Sequence, residues 1–270
     1  MHQIPIMIYG TAWKEEKTSE LVKKAIDVGF TAIDTANQKK HYREDYLGNA
    51  LLELSKLGVK RESLFLQTKF TYQNGQDHRL PYNPEDSFTD QVKSSFASSL
   101  KNLHTNYIDS FLLHGPSSGY GLTESDFEVW RAIEDLHQSG QAKIIGVSNV
   151  GIQHLKVLMK NAKVKPTMVQ NRCFAQRGWD QGVREFCLSN NITYQGFSLL
   201  TANMHVLTHS TLKSIATRLN VTPQQVIFRF CKQIGILPIT GTTNEQHMRE
   251  DLKITEFELT QNDIDTIFLI

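Results

Sequence analysis

Eight short apolar runs, each followed by a longer segment of helical period, repeat without interruption along the chain, and this alternation constrains the fold more than any single motif. The runs are "IMIYGTA" (Ile6 to Ala12), "TAIDTA", "SLFLQTKF", "YIDSFLLH", "AKIIGVSN", "TMVQNRC", "ITYQGFSLL" and "GILPITG". Each is near-continuously apolar, the pattern of strands covered on both faces. Between them, "EEKTSELVKKAIDVG" sets Leu21, Val22, Ala25 and Ile26 on one stripe. "SDFEVWRAIEDLHQSG" does the same with Phe127, Trp130, Ile133 and Leu136, and Ser125 is its expected N-cap. Further helices are predicted near 85–104, 151–162, 179–190, 209–235 and 244–253, with a last one near 260–269.

Crossover connections make such strands parallel, and eight of them close into a barrel with a filled interior. The rival is an open doubly wound sheet, which usually carries GxGxxG after its first strand. Here that place reads "GTAWKEEKTSE", with one glycine. No linker or compositional break divides the 270 residues, so the expectation is a single (β/α)8 TIM barrel domain over 1–270.

Charge and cysteine usage narrow the class of partner. With 29 Lys+Arg against 28 Asp+Glu, the chain has no field that would draw nucleic acid. Cys173, Cys187 and Cys231 are odd in number and form no CxxC pair, which fits core thiols in a reducing compartment. The opening "MHQIPIMIYG" lacks the regions of a signal peptide, and no run approaches the roughly 18 apolar residues of a membrane span. A soluble, cytoplasmic protein acting on a small molecule is expected. His205 and His209 stand four apart without an intervening glutamate or a third ligand nearby, so no metal site is predicted.

In a barrel of this kind the chemistry sits at the carboxyl ends of the strands. Asp34 closes the second run, Lys69 the third, His114 the fourth, Ser148 and Asn149 the fifth, Gln170 and Asn171 the sixth, and Ser198 the seventh. Singly, Asp34 reads as a turn cap, Lys69 as a snorkelling strand-end lysine and His114 as a core histidine; at three adjacent strand ends they converge on one mouth. The loop after Asp34, "TANQKKHYRED", adds Lys39, His41, Tyr42 and Glu44 as further candidates. A phenol titrates near about 10, and a neighbouring ammonium lowers that value. Lys69 is the expected source of the charge, Asp34 its counter-ion, and His114 a hydrogen-bond donor to a carbonyl oxygen.

These residues resemble those of the aldo-keto reductases over nearly the whole chain. "GFTAIDTA" followed by a tyrosine and acids, "LFLQTKF", "NYIDSFLLHGP", "KIIGVSNV", "VTPQQVIFRF" and "GTTNEQHMREDL" carry the likeness. The resemblance implies reduction of an aldehyde or ketone by hydride transfer from NADPH, with NADH as an alternative cofactor. It implies a catalytic tetrad of Asp34, Tyr42, Lys69 and His114, with Tyr42 as the proton donor. It further implies cofactor contacts from Gly10, Thr11 and Trp13 at the first strand, and carboxamide contacts from Ser148, Asn149 and Gln170. Phe197 is implied as the ring that stacks on the nicotinamide. Ser198 and Leu200, in the loop that follows it, are implied as further cofactor contacts. Gly241, Thr242 and Thr243 lie before a helix whose N-terminus favours phosphate, and the resemblance implies that Gln246, Glu250 and Asp251 match positions around the adenosine.

Three departures shape the expectations. Tyr42 stands eight residues after Asp34, where the family usually has five, so extra residues are expected to bulge outwards with Lys39 and Lys40 in solvent. The loop "FSLLTANMHVLTH" lacks the family's Pro and Gly. "LPITG" lacks the lysine that reads a 2′-phosphate, leaving Arg249 as the cation to replace it. The long "TYQNGQDHRLPYNPEDS", through Tyr72, His78, Pro81, Tyr82 and Pro84, is expected to fold over the mouth and, with Phe174, to build an apolar substrate wall. Little chain follows the last helix, so an open site is expected. The rival role is a slow nicotinamide-binding regulator or channel-subunit-like protein, since some members of the superfamily act that way.

Overall fold

The computed structural model of the chain describes residues 5–270. Eight strands alternate with helices and pair in parallel into a closed barrel in chain order, with the last strand returning to the first. The first half runs β1 (Ile8–Gly10), α1 (Thr18–Asp27), β2 (Ala32–Asp34), α2 (Glu44–Lys56), β3 (Phe65–Phe70), α3 (Phe88–Asn102), β4 (Ile108–Leu113) and α4 (Glu124–Gln138). The second half runs β5 (Ala142–Ser148), α5 (Ile152–Asn161), β6 (Met168–Arg172), α6 (Gln181–Ser189) and β7 (Thr193–Phe197). Three helices follow β7, namely α7 (Met204–Thr208), α8 (Ser210–Leu219) and α9 (Pro223–Gln233). The chain then forms β8 (Ile236–Thr240), α10 (Glu245–Leu252) and α11 (Gln261–Phe268). The (β/α)8 fold read from the alternation is the fold observed.

Two cores hold it. One lies between sheet and helices, where Leu21, Val22 and Ala25 of α1 and Trp130, Ile133 and Leu136 of α4 are buried. The other lies inside the barrel, where Ile8, Ala32, Phe65, Leu112, Met168, Leu237 and Ile239 pack together. Above that apolar layer the inward positions turn polar. Gln67 of β3 donates to Gln195 of β7 across the barrel at 2.8 Å, and both are fully buried.

The elements depart from expectation in four places. The run at 209–235 is two helices, because Asn220 ends α8 in the left-handed region at φ 54° and Pro223 opens α9, capped reciprocally by Thr222 and Gln225. The N-cap of α4 is Thr123 in a capping box with Asp126, two residues before Ser125. Val129 is fully buried on α4, whereas Phe127 is only half-buried. Helix α2, absent from the predicted set, begins at Glu44 directly after the polar loop. All three cysteines are buried and free.

Candidate active site

Asp34 and Lys69 end neighbouring strands and meet as a buried pair, Nζ to Oδ1 at 2.7 Å, with the same ammonium donating to the Thr35 carbonyl at 2.7 Å. Burial lowers the pKa of Lys69 and Asp34 opposes that shift. The loop after β2 makes a turn in which the backbone N–H groups of His41 and Tyr42 both reach the Gln38 carbonyl, at 3.0 and 2.9 Å. Lys39 and Lys40 are exposed on that turn. The Trp13 N–H bonds to the His41 carbonyl at 2.8 Å, and the two rings pack at 3.9 Å. Held this way, the Tyr42 ring returns to the mouth. Its centre lies 5.3 Å from Lys69 Nζ and 6.0 Å from the centre of the His114 ring.

Burial and the nearby Asp34 carboxylate push the Tyr42 phenol above its ordinary pKa. Burial is the larger of the two causes, and Lys69 does not reverse it in this state. His114 is held well below its ordinary pKa by burial, by Lys69 and by His41, so it is neutral. Its Nδ1 shares a 2.7 Å hydrogen bond with the Thr71 hydroxyl, which can donate to it and leave Nε2–H facing the cavity.

A cavity of about 960 Å3 joins these groups to the far side of the mouth. Of the residues the resemblance points to, Gly10, Trp13, Asp34, Tyr42, His114, Asn149, Gln170, Phe197, Ser198, Leu200, Gly241, Thr242, Glu250 and Asp251 line it. Thr11 lies behind the wall, its hydroxyl donating to the Asp34 carbonyl at 2.9 Å. Ser148 is buried and donates to the Gln170 carbonyl at 2.6 Å, while Asn149 reaches the His114 carbonyl at 2.7 Å. Lys69 is buried behind Asp34, and neither Thr243 nor Gln246 lines the cavity. Trp13, Asn149 and Ser198 all take positive φ near 60° at strand ends, conformations that non-glycine residues adopt at some energetic cost and that often mark functional loops.

Gly241 and Thr242, just before helix α10, line the same cavity, and Asn244 caps the helix through the His247 N–H. The cavity face of α10 carries His247, Glu250 and Asp251, whereas Arg249 is paired with Glu245 at 2.8 Å and does not line the cavity. Lys14, unremarked in the sequence, lines the cavity, donates to the Gly241 carbonyl and has its pKa lowered by burial. It follows Trp13 directly, which is the signal that marks it.

The long loop after β3 contributes less of the cavity wall than expected. Tyr72 is tied to Asp126 at 2.9 Å and Tyr82 to the Thr71 carbonyl at 2.7 Å, and of the residues named for that wall only Tyr72 lines the cavity. Gln38, His41, Thr71, Asn74 and Arg172 take their place. Among the described residues no cluster of three His, Cys, Asp or Glu groups could hold a metal, and no helix is long and apolar enough to cross a membrane.

A family model described as the aldo/keto reductase family matches residues 7–268. The chain is 33% identical to glyoxal reductase of Bacillus subtilis, over 93% of this chain and 82% of that protein. It is 31% identical to NADPH-dependent codeinone reductase 1-4 of Papaver somniferum, over 98% of this chain and 85% of that protein. A Bombyx mori aldo-keto reductase solved in complex with NADP superposes with a TM-score of 0.82 at 25% identity, over 98% of this chain and 89% of that one.

Proposed function

Since this chain belongs to the aldo/keto reductase family and is an oxidoreductase, we propose that it reduces an aldehyde or ketone with NADPH, using Tyr42 as the proton donor. The observation that carries the reading is the sharing of one cavity by two chemistries. Tyr42, His114 and the Asp34–Lys69 pair stand at one part of the mouth, and Lys14, Thr242 and His247 stand at another.

The residues fit a nicotinamide dinucleotide on the structure's own terms. Gln170 donates through Nε2 to Asp34 and Gln195, which leaves its side-chain oxygen to accept from a ligand amide. Phe197 offers a ring face beside it, and Lys14 with the first turn of α10 supplies positive charge for phosphates. The bound cofactor supplies the hydride. His114, neutral, orients the carbonyl oxygen through Nε2–H, and Tyr42 gives its hydroxyl proton to that oxygen as negative charge develops there. The phenolate left behind faces the Lys69 ammonium, which stabilises it once formed.

A panel of simple aldehydes and dicarbonyls with saturating NADPH, read by loss of reduced-cofactor absorbance, tests the reading. Turnover that requires Tyr42 supports it. Tight cofactor binding without turnover of any carbonyl favours the regulator instead.

A further inference from the structure

The barrel interior beneath the mouth contains a closed set of amide hydrogen bonds. Asp34 Oδ1 accepts from Gln67 Nε2 at 2.7 Å, from Lys69 Nζ at 2.7 Å and from Gln170 Nε2 at 3.0 Å. Gln195 Oε1 accepts from Gln67 Nε2 at 2.8 Å and from Gln170 Nε2 at 2.9 Å. Gln195 Nε2 returns to Gln67 Oε1 at 3.0 Å, where Ser110 also donates at 2.8 Å. Gln67, Ser110 and Gln195 are fully buried, and Asp34 and Gln170 nearly so.

Every amide orientation in this set follows from one fact. An ionised carboxylate only accepts, so Gln67 and Gln170 must both turn N–H groups towards Asp34. Gln195 must then turn its oxygen to the two of them and its nitrogen to the Gln67 oxygen. Reversing any one amide would set donor against donor or acceptor against acceptor in a buried place and leave groups unsatisfied there. Gln170 lines the cavity, and its side-chain oxygen is the one amide group of the set without a partner inside it.

We propose that Gln195, itself fixed by Gln67, is a positioning residue that shares with the Asp34 carboxylate the two N–H bonds of Gln170, locking the Gln170 oxygen towards the cavity so that the site selects a ligand amide N–H. The inference rests on the proposed nicotinamide reading, in which that amide is the cofactor's carboxamide. Ionisation of the catalytic pair and recognition of the carboxamide are then one coupled hydrogen-bond event, although Asp34 itself need not touch the carboxamide.

The test compares binding of NADP+ with its 3-acetylpyridine analogue, which keeps the carbonyl oxygen and replaces the amide nitrogen by a methyl group, by calorimetric titration of the folded protein. The wild type should bind the carboxamide about tenfold more tightly, the size of one hydrogen bond whose loss leaves an acceptor unpaired. In Gln67→Leu/Gln195→Leu, where Gln170 loses its second acceptor and keeps only Asp34, that ratio should fall severalfold. The isosteric Asp34→Asn, which can donate as well as accept, should lower the ratio in the same direction and covers the case in which the double variant fails to fold. A ratio unchanged in Asp34→Asn, or in a folded double variant, overturns the proposal and leaves the amides a structural role. A wild type that binds neither dinucleotide overturns the nicotinamide reading itself, and the inference with it.

Discussion

Lys69 Nζ lies 5.3 Å from the centre of the Tyr42 ring while it makes a 2.7 Å pair with Asp34. The ammonium is therefore close enough to receive a phenolate but does not draw one out in the resting site, where burial and Asp34 keep the phenol protonated. That arrangement suits an acid that releases its proton only when charge develops on a substrate. Tyr42→Phe should lower turnover by about a hundredfold or more and leave cofactor binding nearly intact. Lys39→Met, on the exposed turn, should change neither, as steady-state reduction and cofactor titration of both variants will show. Loss of reduction on changing Lys39, with Tyr42→Phe active, would remove the tyrosine from its role.

The cation for the cofactor phosphates is predicted to be Lys14. Its ammonium lines the cavity against the Gly241 carbonyl, whereas Arg249 is occupied by Glu245 off the cavity face of α10. Hydrogen bonds to charged groups contribute about 1.5–3 kcal/mol, so Lys14→Met should weaken NADPH binding roughly tenfold to a hundredfold, while Arg249→Ala leaves it unchanged. Fluorescence titration of both variants decides between them.

Asp251 gives the protein a pH-dependent weakness. Burial pushes its carboxyl up to about 7 despite the hydrogen bond from the Thr240 hydroxyl at 2.7 Å. The folded state then binds this proton more tightly than the unfolded state, so the contribution is most favourable below the ordinary carboxylate range. It is lost as pH rises from there to about 7. Asp251→Asn, which keeps an acceptor for Thr240, should raise the melting temperature at pH 8, with the gap over wild type closing towards pH 4.

Gly146 sits where β5 and β6 pair, opposite Met168. A Cβ there would stand 2.1 Å from the Met168 carbonyl oxygen, too close for any atom, and backbone cannot swing aside as a side chain can. Gly146→Ala should destabilise the fold by about 1–3 kcal/mol through overpacking, measured by urea denaturation. Because β5 ends at Ser148, directly before Asn149, and β6 carries Gln170, the same change should weaken cofactor binding in the protein that remains folded.

Alternation of period two and period 3.6 is local, so the strand runs, most helices and the closed barrel were legible from the chain alone. Asp34, Lys69 and His114 were legible as strand-end residues because a barrel sends strand ends to one mouth. Where strong local signals compete, boundaries moved: the turn at Asn220 and the proline after it split one predicted helix, and Thr123 took the cap expected of Ser125. Gln67 and Gln195 could have been marked by parity, two residues before Lys69 and Phe197, but a polar residue in an apolar run does not name its partner. Their partnership spans 128 residues of sequence and exists only because the barrel closes. The face of α10, the occupation of Arg249 by Glu245 and the upward shift of the Tyr42 pKa also belong to tertiary structure. Each depends on distance and solvent exclusion between groups remote in the chain, and periodicity carries no information about either.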